Sequence, residues 1–284
     1  MDLQKEMRLR RLNKFFVYLV LVLLTLICLF PFYLLIVNSS RAHSEVQKGF
    51  SATFGSFFLP NLRNVMSNKE LPVLKGIVNS FVIAGSSAVL ATYFSTLTAF
   101  SVYVYEYKLK KFVFTFILLI MMIPNQVYAL GFIRWMNQLG LMDSHLPLII
   151  PSVASPIVFY FMLSYMQSNL PLAMIEAARI DGASEFRIFN QMVLPIMKPA
   201  IAVQAIFTFV GSWNNYFIPS LIIRSTDKKT LPILIAQLRS ADYLKFDMGQ
   251  VYMLIFLAII PILVIYIFLS KYIVRGVAMG SVKE

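Results

Sequence analysis

The sequence predicts an all-α, polytopic membrane protein with six transmembrane helices. Three observations carry that prediction. The chain of 284 residues is 59% hydrophobic and only 13% charged, about half the charge of an ordinary soluble domain. Its mean hydropathy is +0.74. Six apolar runs are each long enough, at roughly 20 residues, to cross a bilayer as a helix. The runs are continuous rather than alternating, which favours helices over a barrel. The net charge of +12 fits cytoplasmic span ends and anionic lipid, and by itself points to no nucleic acid. Cys28 is the only cysteine, so no internal disulfide is possible. His43 and His145 are far apart and form no metal cluster, so no metal site is expected.

Residues 1–14 form a basic lead-in, read as an interfacial helix or a frayed tail. The first span is 15–37. Its apolar run is too long for a signal-peptide core and no small-residue cleavage site follows, so it is expected to stay uncleaved. A loop at 38–75 leads to a core at 76–270 that holds five more spans: 76–102, 112–133, 147–168, 200–223 and 250–270. Segment 169–199 separates spans four and five, loop 224–249 separates spans five and six, and 271–284 is a tail. Lys5, Arg8, Arg10, Arg11 and Lys14 place the N-terminus in the cytoplasm, and Lys108, Lys110 and Lys111 place the second loop there too. Six spans then return the C-terminus to the cytoplasm. Segment 169–199 is cytoplasmic in this scheme, and 38–75 and 224–249 lie outside.

No Asp, Glu, Lys, Arg or His lies inside the six spans. A proton-driven carrier needs such groups. A phosphate-binding loop of the form G-x-x-x-x-G-K-[ST] is also missing, as is any catalytic set of side chains. Sodium coupling through carbonyls and hydroxyls stays open; without it, any uphill movement by this non-catalytic chain draws its energy from another subunit. The spans do carry neutral polar groups. Asn79 and Ser80 open the second, Asn125 and Gln126 follow Pro124 in the third, and Gln204, Asn214 and Asn215 lie in the fifth beside Trp213. A buried amide must find a partner, so these bond between helices or line a polar pathway. Asn79, Gln126, Gln204, Trp213, Asn214 and Asn215 are the pathway candidates. Pro124, Pro151, Pro156 and Pro219 mark kinks, and the run 84-AGSSA-88 offers small residues for close helix contact.

The segment 176–199, EAARIDGASEFRIFNQMVLPIMKP, is the chain's most mixed stretch. Pro171 can start a short helix, with Ser168 or Asn169 as its cap. Glu176 and Arg179 are spaced to pair. Gly182 can adopt the left-handed angles that end a helix. A second short helix follows, with Phe186, Phe189 and Val193 on one side, before Pro195 and Pro199 turn the chain back into the membrane. Such a helix-turn-helix knob is too small to bury itself and needs a groove in a partner.

The pattern E-A-A-x-x-D-G-A followed by L-P-x-x-x-P resembles the EAA loop of binding-protein-dependent ABC importer permeases. It is met by Glu176, Ala177, Ala178, Asp181, Gly182, Ala183, Leu194, Pro195 and Pro199. The stretches 58–66, 75–84, 213–222 and 275–284 resemble the carbohydrate, maltose-type branch, and within it the smaller of the two permeases. The resemblance implies a type I ABC importer permease fold in a bacterial cell membrane. It implies that Glu176, Ala177, Ala178, Asp181, Gly182, Ala183 and Pro195 couple the chain to a cytoplasmic ATPase, with Glu176 pairing to an arginine there. The implied partners are a second permease in a heterodimer, two ATPase copies, an extracytoplasmic sugar-binding protein and lipid. The resemblance also implies that this chain binds no cofactor and that ATP and Mg are used by the ATPase.

Loop 224–249 has a charged edge, an apolar middle and a charged, aromatic close. It is either a solvated connector or, as the resemblance implies, a segment that reaches the docked binding protein, with Leu234, Gln237, Ser240 and Tyr243 as contacts. The function expected is import of oligosaccharides. The alternatives are a family member for glycerol phosphodiester or polyol cargo and, from another class, a sodium-coupled secondary carrier, which would need an inverted repeat and an ion site of its own.

Overall fold

The computed structural model describes residues 2–68, 70–240 and 247–280. Among them every regular element is helical. In chain order α1 is Asp2–Ser39, α2 His43–Gln47, α3 Phe58–Ser67, α4 Val73–Val104, α5 Lys110–Met121, α6 Asn125–Gln138 and α7 Leu146–Ile149. Then come α8 Pro156–Asn169, α9 Leu172–Ile180, α10 Glu185–Ile188, α11 Leu194–Trp213, α12 Phe217–Ile222, α13 Leu231–Arg239 and α14 Met248–Gly280. Among the described residues five helical segments are long and apolar enough to cross a membrane: Leu12–Ser39, Val73–Val104, Leu146–Asn169, Glu185–Trp213 and Met248–Phe268. Taken together, the bent pair Lys110–Met121 and Gln126–Gln138, at 100° to each other, counts as a sixth candidate span.

Three expected boundaries differ. The basic lead-in is neither a tail nor a separate helix, because α1 runs without interruption from Asp2. The third span is broken rather than continuous. Pro124 caps α6 with extended angles (φ −62°, ψ 141°); it has no N–H and keeps the residue before it out of the helical region. One helical run extends from Glu185 into the fifth span and ends at Trp213, so Pro195 and Pro199 do not reverse the chain. A π-turn at Phe189–Val193 widens the ladder, with the Leu194 N–H donating to the Phe189 carbonyl. The wider turn makes room for the ring of a proline just beyond it.

The chain divides into two compact units. The first comprises 1–68 and 238–258. Its centre is a polar knot at the end of α1. Asn61 Nδ2 donates to the carbonyls of Ser39 and Arg41 at 2.9 and 3.0 Å. Arg41 is itself buried, and its guanidinium donates to Asn38 Oδ1 and to the carbonyls of Gly49 and Glu45. A buried cation is tolerated only when its donors are met in this way. Gly249 packs so tightly on the knot that an added Cβ would lie 2.6 Å from the Arg41 carbonyl. Most of α1 lies outside the knot and exposes its apolar side chains from Leu12 to Phe32.

The second unit comprises 69–237 and 259–284. Its axis is α4. Gly76, Ser80, Ala84, Ser87, Ala88, Ala91, Ser95 and Ala99 are buried at spacings of three and four, a stripe of small side chains that lets neighbouring backbones approach. Ser87 and Ser95 use that closeness to donate to the carbonyls of Leu148 and Ser155. The chain there breaks from α7 through a 3-10 turn to α8 and leaves carbonyls to satisfy. Around α4 the core gathers Phe100, Phe159, Met162, Met166, Ile175, Ile188, Phe189, Val193 and Met197. Ile175 of α9 and Ile188 of α10 are fully buried in it, so the knob between spans four and five is seated on the helical core.

Candidate functional site

Pro171 sits at the N-cap of α9 and no side chain caps that end. Ser168 and Asn169 instead donate back to carbonyls one turn earlier in α8. α9 buries Ile175 and Ala178 and turns Glu176 and Ala177 outward. Its end is a Schellman motif: the Ala183 N–H donates to the Ala178 carbonyl and the Gly182 N–H to that of Arg179, both at 3.0 Å. Gly182 has φ +77° with open space around it, so the demand for glycine is conformational rather than steric.

The expected Glu176–Arg179 pair does not form. Arg179 Nε lies 2.7 Å from Glu185 Oε1, because the reversal at Gly182 brings the start of α10 beside the last turn of α9. The Arg179 guanidinium also stands over the Tyr105 ring, 5.3 Å from its centroid, and the Tyr105 hydroxyl donates to Glu185. Hydrogen bonding to Arg179 holds the Glu185 carboxyl below its ordinary range. The bond to Glu185 raises Arg179, and burial raises Tyr105. Among the described residues Glu176 has no hydrogen-bond or ion-pair partner. Two apolar side chains on the same knob, Ile180 and Phe186, are 87% and 74% exposed. Phe186 therefore does not share a buried side with Phe189 and Val193. The signal for Ile180 and Phe186 was present in the sequence as apolar residues inside a polar segment. Of the remaining coupling candidates, Asp181 and Pro195 are exposed, Ala183 is half-buried and Ala178 is covered.

A cavity of about 630 Å³ opens in the second unit. Ser80 and Ile83 of α4, Tyr128 and Phe132 of α6, Ser212, Asn215 and Thr230 line it, together with prolines and aliphatic side chains of α5, α7, α8 and α12. No acidic or basic side chain is among its lining residues. Thr230 is buried, and its Oγ1 has no hydrogen-bond partner among the described residues. Of the six pathway candidates only Asn215 is on this wall. Trp213 is buried and stacks on Phe209, Gln204 is buried in α11, and Gln126 and Asn214 are exposed without lining the cavity. Asn79 Nδ2 donates to the carbonyls of Asp227 and Lys229, which makes it a fastener of backbone. The break between α11 and α12 decides which amide faces inward, and residue type alone does not reveal it.

Residues 224–231 are latched at several points. Asp143, at φ +56°, accepts from the N–H groups of Arg224 and Ser225 at 2.9 Å and from the Ser225 hydroxyl. Lys228 Nζ is 3.2 Å from Asp143 Oδ2. The Ser225 hydroxyl and N–H, then the Arg224 N–H, hold the Asp143 carboxyl far below its ordinary range. His145 Nε2 bonds the Lys228 carbonyl, and the Leu231 N–H donates to Ser80 Oγ at 2.8 Å. Leu234 is fully buried at the position where Gly76 leaves room for it. It is an anchor, not a surface contact. Gln237 and Ser240 are exposed, and Tyr243 lies outside the described residues.

Residues 89–279 match the family model described as "Binding-protein-dependent transport system inner membrane component". The chain is 32% identical over 267 residues to the arabinooligosaccharides transport system permease protein of Bacillus subtilis, covering 92% of this chain and 93% of that one. It is 30% identical over 275 residues to the lactose transport system permease protein of Rhizobium radiobacter, covering 96% and 98%. A solved chain from a bacterial ABC transporter involved in import of the acidic polysaccharide alginate superposes with a TM-score of 0.79 at 21% identity, covering 92% of this chain and 96% of that one. The apolar helices and the family match agree: the chain belongs to the binding-protein-dependent transport system inner membrane components, the multi-pass permease subunits of ABC importers.

Proposed function

We propose that this chain passes neutral oligosaccharides across a bacterial cell membrane as one of two permeases of an ATP-driven importer. As a family member it is a transport subunit of the sugar-permease kind and is not itself the enzyme. The uncharged cavity carries the cargo assignment. Its wall combines two aromatic rings, apolar surface and the polar groups of Ser80, Ser212, Asn215 and Thr230. A sugar presents apolar faces and hydroxyls in the same mixture, and a hydroxyl beside Thr230 Oγ1 would satisfy a buried atom that lacks a partner among the described residues. A phosphodiester would bring a charge that no cation of this wall could meet.

In this reading the basic N-terminus and the knob at 170–188 face the cytoplasm. Glu176 and Ala177, with the exposed Ile180 and Phe186 beside them, enter a cleft of the ATPase. Two ATPase copies, using ATP and Mg, draw this loop and that of the second permease together. The helices behind them then switch the side on which the pathway opens. A sugar-binding protein approaches the opposite side near Gln237 and Ser240. The test is uptake into proteoliposomes that hold the complete complex. ATP-dependent uptake of neutral oligosaccharides is expected. Uptake confined to acidic sugars or phosphodiesters would overturn the assignment.

A further inference from the structure

We propose that Tyr105, Arg179 and Glu185 form a strut that carries movement of the docking loop into two membrane helices at once. The proposal rests on the permease reading above and adds a set of positioning residues to it. Arg179 lies in the last turn of α9, and Glu185 is the first residue of α10. Tyr105 caps the end of α4, where its N–H donates to the Ser101 carbonyl. The ion pair, the ring contact and the hydroxyl bond therefore join the docking helix to both α4 and the helical run from Glu185 to Trp213.

The far ends of those two helices meet the cavity. Ser80 and Ile83 belong to α4 and Ser212 to α11, and all three line the wall. At 1.5 Å per residue, Tyr105 stands about 37 Å along its helix from Ser80, and Glu185 about 40 Å along its own from Ser212. A small displacement at the strut thus moves two levers whose other ends shape the cavity. Aromatic packing stiffens the start of both. The Phe100 ring is 6.0 Å from Tyr105 and 5.6 Å from Phe189, and the Tyr93 ring is 5.6 Å from Phe189. Phe189 opens the π-turn, the point at which that lever would otherwise flex.

Stability is a poor account of the cluster. The Arg179 and Glu185 side chains are 35% and 45% exposed, and exposed pairs of this kind add little to folding. The arrangement is also incomplete, since Arg179 Nη2 is buried without an acceptor among the described residues. A donor left unmet in one position of the loop is what a second position can satisfy, and coupling requires an element with two arrangements.

The test compares variants in proteoliposomes containing the assembled complex, reading sugar uptake and ATP hydrolysis together. Glu185→Gln should lower sugar moved per ATP by about tenfold while hydrolysis in the presence of loaded binding protein persists. The exchange of Arg179→Glu with Glu185→Arg should recover most of that ratio. Tyr105→Phe keeps the ring over Arg179 and removes only the hydroxyl, so it should give a smaller loss of the same kind. It decides the matter if Glu185→Gln fails to assemble. An unchanged ratio in the variant that assembles, or uptake and hydrolysis falling in parallel, would overturn the strut. The unmodified complex in the same vesicles reports separately on whether neutral oligosaccharides are the cargo.

Discussion

The knob at 170–188 and the loop at 224–240 look alike in sequence. Each is a mixed, charged and apolar segment between two long spans, and each reads as a surface for a partner. They are built in opposite ways. The knob buries Ile175 and Ile188 as a base and leaves Glu176 exposed and unpaired among the described residues. Its ion pair lies behind the turn, not at its tip. The loop spends its polar groups on its own chain, through Asp143, Asn79, Ser80 and His145, and buries Leu231, Ile233 and Leu234. Apolar residues in a connecting loop are therefore equally compatible with docking outward and with anchoring inward. The side chains around them decide, by supplying partners or withholding them.

The largest effect expected from this contrast is on transport, through the knob. Gly182→Val forces a β-branched residue to φ +77°, at a cost of about 1–3 kcal/mol. In the proposed docking, Glu176→Ala leaves a charge of the ATPase unmet, also at about 1–3 kcal/mol. Both should weaken capture of the ATPase about tenfold or more, measured by co-purification and uptake. The amount of chain in the membrane should not change. Normal uptake in both variants would remove the knob from the coupling path.

The loop should respond in stability rather than coupling. Ser80→Ala strips the buried Leu231 N–H of its acceptor, costing about 1–3 kcal/mol. Gly76→Val places a Cβ 2.5 Å from Leu234 Cδ1, an overpacking of about 1–3 kcal/mol. Each should lower the Tm of the purified chain, whereas Glu176→Ala should not. A Tm unaffected by either loop variant would mean that the latch carries no load.

The smallest effect is on pH. The folded carboxyl of Asp143 titrates well below an unfolded aspartate, so its contribution is complete above the ordinary aspartate range and is lost only as pH falls through the depressed folded value. Amide exchange at Arg224 and Ser225, corrected for its intrinsic pH dependence, should stay slow at pH 5 and remain so until strongly acidic conditions. Fast exchange already at pH 5 would break this part of the comparison.

The sequence alone determined the membrane class, the apolar helices that can cross, the place of the mixed segment between spans four and five and the glycine that ends its first helix. These follow from local quantities: apolar run length, the missing N–H of proline, and the left-handed angles open to Gly182. It also determined that no phosphate loop accompanies the spans. Only the tertiary structure decided that Arg179 pairs with Glu185 rather than Glu176, that Asn215 alone of six candidates lines the cavity, and that Leu234 is an anchor. Those outcomes depend on where a turn, a proline break or a π-turn rotates the next helix. A rotation of one residue, about 100° in an α-helix, exchanges a side chain facing the core for one facing outward. Spacing along the chain therefore names the candidates for each site, and packing against α4 selects among them.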